Sequence, residues 1–128
     1  MFVKVVVLLL VLVLAVTSSM LVGTPVNADI KDPKIKQAVL FAIAAYNAKS
    51  ESIYTSKVLK VINAQSQVVS GIKYTFTVKI ATTSCKKMHA KRKCYVHSDP
   101  AIANPHKCKL AVWSQPWLKR MELVANTC

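Results

Sequence analysis

Glycine and acidic residues are scarce in this chain of 128 residues, and each shortage excludes a class of function. The two glycines, Gly23 and Gly71, stand far apart, so there is no glycine-rich loop of the kind that holds phosphates. The five acidic residues are scattered and form no evident pair for general acid and base catalysis: Asp29, Asp32, Glu51, Asp99 and Glu122. We therefore expect a protein that is not an enzyme and that uses no cofactor.

Long apolar runs are also absent, except at the start of the chain. Lys4 gives a short basic start, residues 5–16 are all apolar, and small residues follow at 17–19. This layout is typical of a secretory signal peptide. The alternative, a membrane anchor, is disfavoured because a span needs about 20 apolar residues. We predict a signal peptide at residues 1–19, cleaved near residues 18–20, and a secreted, extracellular domain at residues 20–128.

Cysteine occurs at only four positions, which are Cys85, Cys94, Cys108 and Cys128. An even number in a short secreted chain indicates disulfides, and oxidised cysteines cannot serve as nucleophiles. Four cysteines allow three pairings. A zinc site built from Cys85, His89, Cys94 and His97 has a tolerable spacing. We expect disulfides and no metal, because secretion favours oxidation and such a site leaves two cysteines over.

Positive charge dominates the remaining composition. The 18 basic and 5 acidic residues give a formal net charge of +13, which attracts anionic partners without naming one. Five basic residues are concentrated between the first two cysteines: Lys86, Lys87, Lys91, Arg92 and Lys93. We predict that this basic loop binds a polyanion, either a glycosaminoglycan or an anionic membrane surface, and not a nucleic acid. The alternative is a solvated charged loop without a role of its own.

One segment has the periodicity of a helix. Asp32 can cap free N–H groups, and Pro33 suits the first helical turn. Apolar residues then recur at helical spacing, and we predict that the helix ends near Ser50. Leu40 and Phe41 widen the apolar part, which predicts a helix that is well covered by the rest of the protein.

Four segments are predicted as strands, because they are rich in β-forming residues or alternate apolar and polar residues. They are residues 53–65, 70–81, 107–114 and 118–126. They pair as two hairpins, and the second is closed by Gln115-Pro116-Trp117. With the helix they predict an α+β fold, in which one long helix packs across a twisted antiparallel sheet.

The tip of the first hairpin reads Gln67-Val68-Val69-Ser70-Gly71. Gly71 can adopt a positive φ without steric cost, which suits a tight turn. Two exposed valines on such a turn gain nothing for folding, so we interpret them as a contact surface. An ordinary structural turn is the alternative.

Two further segments carry a resemblance to a known family. Residues 21–28, beginning Leu21-Val22-Gly23, lack periodicity and predict a flexible arm, with a short edge strand as the alternative. At the second turn, Trp117 of Pro116-Trp117 either faces a partner or packs beside Trp113. An N-terminal glycine, then Gln-x-Val-x-Gly, then Pro-Trp, in that order, resembles the cystatins, inhibitors of papain-like cysteine proteases.

The resemblance covers about residues 21–128, and the four cysteines are similar to the secreted, two-disulfide branch of the family. It implies a sheet of about five strands and the pairing Cys85–Cys94 and Cys108–Cys128. It also implies that arm, loop and turn meet as a wedge at one end of the sheet. As a monomer, the protein is then expected to occlude the active site of cathepsin-type proteases reversibly. The expected protease-binding residues are Leu21, Val22, Gly23, Gln67, Val68, Val69, Ser70, Gly71, Pro116 and Trp117.

Two positions depart from the family pattern. Thr24 stands where a second glycine often precedes the proline, and we expect a slightly stiffer arm with function retained. Some members of this branch use an asparagine just after the helix as a second site, against legumain. The matching position here is Glu51, so we predict that legumain is not inhibited.

An alternative function belongs to a different class: a cationic host-defence or glycosaminoglycan-binding protein on a cystatin-like scaffold. Cathelicidin precursors share the scaffold and four cysteines. They are expected to carry a further cationic peptide, which this sequence does not show after Cys128, and not to keep both motifs. An inert carrier descended from an inhibitor is a third hypothesis.

Overall fold

The computed structural model describes residues 23–87 and 93–128. It contains a long helix, α1 (Pro33–Lys49), a short helix, α2 (Pro100–Ala103), and five strands: β1 (Val26–Asn27), β2 (Tyr54–Val69), β3 (Gly71–Lys86), β4 (His106–Gln115) and β5 (Arg120–Thr127). The strands form one antiparallel sheet in sequence order, and α1 packs on it. The predicted α+β fold is thus confirmed. The predicted signal peptide, together with Leu21 and Val22, lies outside the described residues.

Helix α1 begins and ends where its capping residues predict. The Asp32 Oδ1 accepts a hydrogen bond from the Lys34 N–H at 2.9 Å, and Pro33 occupies the first turn, where no N–H is needed. At the other end, the Ser50 N–H donates to the Tyr46 carbonyl at 2.9 Å. In the part of the chain that the structure describes, no helix is both long and apolar enough to cross a membrane.

One face of α1 is open to solvent. Ile35, Ala38, Val39 and Ala42 are buried against the sheet, whereas Leu40 is 68% exposed. The prediction of a well-covered helix is therefore wrong at Leu40. The sheet covers one side of α1 only, and Leu40 faces away from it.

The core lies between α1 and the inner face of the sheet. Along β3 the side chains of Tyr74, Phe76, Val78 and Ile80 are buried, and those between them lie on the outer face. Each large apolar side chain buried in this way contributes about 1.5–3 kcal/mol to folding. Burial, and to a lesser degree the Asp32 carboxylate, raises the pKa of Tyr74 above its ordinary value.

The first hairpin is longer than predicted, because β2 extends to Val69 and β3 continues to Lys86. Helix α2 was not predicted. The Asp99 Oδ1 accepts from the Ala101 N–H at 3.0 Å, and Ala103 is buried. Asp99-Pro100 repeats the signal of Asp32-Pro33, so the sequence did carry a sign of this short helix.

Two disulfides fix the second half of the chain. Cys85 is bonded to Cys94, with 5.6 Å between their Cα atoms, and Cys108 to Cys128, with 4.2 Å. This is the pairing that the family resemblance implied. Bridges of this kind typically contribute about 2–4 kcal/mol. Because all four sulfurs are bonded, the cysteines offer no thiolate, and the zinc alternative loses its ligands.

The described part of the N-terminal arm is held as an edge strand rather than free. Val26 and Asn27 pair with Ser66 and Gln65 of β2, and the Ala28 N–H donates to the Ala64 carbonyl at 2.9 Å. The prediction of a flexible arm is therefore wrong for these residues. The outer edge of β2 offers unpaired backbone groups, and the arm satisfies some of them.

Candidate functional site

The tip of the first hairpin projects from one end of the sheet. Val68 is 64% exposed and Ser70 is exposed, whereas Val69 is half-buried, so one of the two predicted exposed valines is partly covered. The Trp113 indole N–H donates to the Ser70 carbonyl at 2.7 Å, which fastens the tip to β4. Trp113 is thus a supporting residue that the sequence did not single out for this role.

Gly71 is required by the geometry of this tip for two reasons. Its φ is +101°, a conformation that L side chains rarely adopt. A Cβ atom at this position would also run into the backbone carbonyl oxygen of Ser114. The absence of a side chain therefore lets the tip lie directly against the end of β4.

The arm is attached to the same tip. The Gly23 N–H donates to the Val68 carbonyl at 2.7 Å, and the Gln67 Nε2 donates to the Gly23 carbonyl at 2.9 Å. Gln67 is predicted from the sequence to contact the protease, whereas in the structure its side-chain amide is hydrogen-bonded to the arm. Gly23 and the loop are therefore adjacent without any partner present.

The second turn lies beside the first. Pro116–Leu118 forms a single 3₁₀ turn that follows Gln115 of β4, and Lys119 closes it with a φ of +49°. Trp117 is 62% exposed, so it does not pack into the fold beside Trp113 as the alternative proposed. Leu118 is 59% exposed, and it was not predicted from the sequence as a binding residue. The only signal for it was an apolar residue directly after Pro-Trp.

Gly23, residues 67–71 and Pro116–Leu118 therefore lie at the same end of the sheet, and we call these residues the apical edge. Three exposed apolar side chains define it, those of Val68, Trp117 and Leu118. The other predicted arm residues, Leu21 and Val22, lie outside the described residues.

The basic loop is only partly described. Lys86 is exposed, but the Lys87 Nζ donates to the Ser50 carbonyl, and the Lys93 Nζ lies 5.6 Å from the centre of the Tyr95 ring. Lys91 and Arg92 lie outside the described residues. Two of the three described cations thus have local partners, which weakens the prediction that the whole loop is a free polyanion surface.

Comparison with known proteins identifies the family. Residues 23–117 match the Cystatin domain. A cystatin of Oncorhynchus keta is 42% identical over 125 residues, covering 98% of this chain and 96% of that protein. The cystatin-C of Paralichthys olivaceus is 40% identical over 109 residues, with 84% and 85% covered. The crystal structure of dimeric human cystatin F has a TM-score of 0.71 at 27% identity, covering 83% of this chain and 86% of that one.

The sequence match spans the helix, the sheet, the hairpin loop and the Pro-Trp turn. It agrees with the two disulfides and with the single long helix on a five-stranded sheet. It also supports a role in inhibiting cysteine proteases. The chain belongs to the cystatin family.

Proposed function

We propose that this cystatin is a secreted, reversible inhibitor of papain-like cysteine proteases of the cathepsin type. The apical edge enters the active-site cleft and blocks it without forming a covalent bond. Residues 1–19 direct secretion, and the oxidised cysteines suit an extracellular protein. The protein acts as a monomer, because each copy carries a complete apical edge.

One observation carries this proposal. Val68, Trp117 and Leu118 are 64%, 62% and 59% exposed, and they belong to the two turns at the same end of the sheet. Their exposure gives no stability to the fold, while an apolar cleft would bury all three. The supporting backbone is fixed by the Trp113–Ser70 hydrogen bond and by Pro116, so little conformational entropy is lost on binding.

The direct test is titration of papain with the mature, oxidised protein. We expect loss of activity that is recovered on dilution, and no covalent adduct in the intact mass of either protein. A protein with both disulfides formed that leaves papain fully active refutes the proposal and favours the inert-carrier hypothesis.

Gln67 is expected to act through the arm. Gln67→Ala removes the hydrogen bond to the Gly23 carbonyl, which is worth about 0.5–1.5 kcal/mol, so inhibition should weaken roughly two- to tenfold. In a variant truncated through Gly23, the same substitution should have no further effect. Inhibition constants for the two single variants and the double variant measure this coupling.

Gln65→Ala is the matched control, because Gln65 precedes Gln67 by two residues on the same face of β2. It should leave inhibition unchanged. Additive effects of Gln67→Ala and the truncation would contradict the positioning role and indicate direct contact of Gln67 with the protease.

Legumain is expected to escape inhibition, because Glu51 occupies the position at which the family's second site has an asparagine. Glu51 is exposed on the segment between α1 and β2, so a substitution there is accessible and structurally mild. Glu51→Asn should create legumain inhibition, while papain inhibition stays unchanged. Tight legumain inhibition by the natural sequence, abolished in Glu51→Ala, would contradict this prediction.

The alternative function, binding of a polyanion through the basic loop, also remains a proposal. Lys86 and Lys93 are exposed on either side of the Cys85–Cys94 bridge, which brings these two charges close together. Replacing Lys86, Lys91, Arg92 and Lys93 with glutamine, and keeping Lys87 for its bond to Ser50, should lower retention on heparin. Unchanged retention would make the loop a solvated connection.

A further inference from the structure

A row of lysines crosses the outer face of the sheet. Lys60 of β2 is the register partner of Lys79 of β3, which is the register partner of Lys107 of β4. All three side chains are exposed. Neighbouring strands lie about 4.8 Å apart, so the row spans about 10 Å.

A β-bulge brings Lys60 into this row. From the hairpin tip, the pairing of β2 with β3 is regular as far as Asn63 and Thr77. The first register shift then occurs between Asn63 and Val61. Without the extra residue, Lys60 would lie opposite Ile80, which is fully buried in the core. The bulge therefore turns Lys60 to the outer face, and bulges commonly re-aim side chains in this way.

No acid of the described chain lies beside this row; Glu122, two rows beyond Lys109 on the same outer face, is paired with Arg120. The next row toward the tip contains Asn63, Thr77, Lys109 and Thr127, with a fourth exposed lysine and no acid. Among the described residues, the ion pair that the structure shows is Arg120–Glu122, at the far end of β5. Like charges directly opposite each other destabilise a sheet, so the row is unfavourable for folding unless an anion neutralises it.

A shallow cleft adjoins the lysines. It has a volume of about 280 Å³ and lies on the same outer face, with Lys73 and Lys109 among its lining residues. Its other polar walls come from uncharged side chains: Gln65, Gln67, Thr75 and Thr127. These amides and hydroxyls can donate to, and accept from, neutral hydroxyl groups.

We propose that the outer face of the sheet binds a sulfated glycosaminoglycan chain. Lys60, Lys79 and Lys107 bind sulfate and carboxylate groups, and the cleft beside Lys109 binds sugar hydroxyls. This surface is separate from the basic loop. The lysine row is also separate from the apical edge, because Lys79 lies about 25 Å along β3 from Gly71, whereas the cleft reaches the apical edge at Gln67.

The chemistry of the face favours this partner over other anions. A single-stranded nucleic acid needs aromatic platforms for its bases, and the two lysine-bearing rows contain none. A membrane surface is usually bound with apolar side chains beside the cations. The paired residues of these rows include none, and the exposed apolar residues beside them, Leu59 and Ile62, stand at two of the register shifts of β2. Cations combined with neutral hydrogen-bonding groups suit an anionic sugar chain.

The test compares two variants of equal net charge. The first carries Lys60→Gln, Lys79→Gln and Lys107→Gln. The control carries Lys31→Gln, Lys34→Gln and Lys36→Gln, which are exposed at the start of α1, on the opposite side of the sheet. Both are applied to immobilised heparin over a salt gradient, and their melting temperatures are measured with and without a heparin oligosaccharide.

We expect the sheet variant to bind heparin at least about tenfold more weakly than the control. In a plot of the logarithm of the binding constant against the logarithm of the salt concentration, its slope should be about two units shallower. The oligosaccharide should raise the melting temperature of the wild type and of the control only. Equal losses in the two variants would show that net charge alone is responsible and would overturn the proposal. Equally tight binding of duplex DNA or of anionic phosphatidylserine vesicles by the wild type would also overturn it.

Folding of the sheet variant is checked by near-ultraviolet circular dichroism and by mapping of both disulfides. Without ligand, its melting temperature should equal or exceed that of the wild type, because the substitutions remove repulsion. If the triple variant misfolds, Lys79→Gln alone, in the centre of the row, replaces it, with Lys34→Gln as its control.

Discussion

Replacing Trp117 with alanine is expected to weaken papain inhibition by about 2–4 kcal/mol, or roughly 30- to 1,000-fold. The indole is 62% exposed in the free protein, so its removal costs the fold little. In a complex it would be buried in an apolar cleft, where a large aromatic side chain contributes most of the affinity. The inhibition constant and the dissociation rate measure the effect, and most of the loss should be in dissociation.

Leu40→Ala is the matched control for this substitution. Leu40 is 68% exposed, similar to Trp117, but it stands on the open face of α1 and outside the apical edge. It should inhibit papain as the wild type does, with an unchanged melting temperature. If Trp117→Ala is folded and inhibits as strongly as Leu40→Ala, the apical edge is not the inhibitory surface.

Gly71→Ala is expected to have the second largest effect. A residue with a side chain is strained at a φ of +101°, and the added Cβ meets the Ser114 carbonyl oxygen, so the tip has to shift. Strain of this kind costs about 1–3 kcal/mol of the free energy of unfolding. Because Val68 moves with the tip, inhibition should weaken at least about tenfold even among folded molecules.

Ser70→Ala separates this effect from a general sensitivity of the loop. The Ser70 side chain is exposed and the Trp113 indole bonds to its backbone carbonyl, so the alanine variant keeps that contact. Its stability should be close to the wild type, and its inhibition should fall far less than that of Gly71→Ala, because only the Ser70 hydroxyl is lost from the apical edge. Normal stability and normal inhibition in Gly71→Ala would show that the tip tolerates displacement and would contradict the close fit at Ser114.

Much of this fold could be predicted from local sequence. Asp32-Pro33 fixed the start of α1 because capping and a preset φ act within one turn of the chain. Alternation of apolar and polar residues identified β3, and every second residue from Tyr74 to Ile80 is indeed buried. These signals need no knowledge of distant residues, so they can be interpreted without the tertiary structure.

Prediction failed where distant segments decide the outcome. Residues 23–28 have no strand periodicity, and Val26 and Asn27 form an edge strand only because the outer edge of β2 offers unpaired backbone groups. Leu40 is exposed because the sheet covers only one side of α1, which the helix sequence does not determine. The exposure of Leu118 depended on the path of the second turn.

The sequence by itself determined the single α+β domain, the ends of its main helix and the three motifs that mark the family, because each is written in a few neighbouring residues. The tertiary structure decided which of these residues meet. Gln67 holds the arm because β2 runs beside it, and Trp113 holds the tip because β4 pairs with β3. The bulge in β2 brings Lys60 opposite Lys79, since one extra residue reverses the face on which the next side chains stand, until a second shift between Val58 and Lys60.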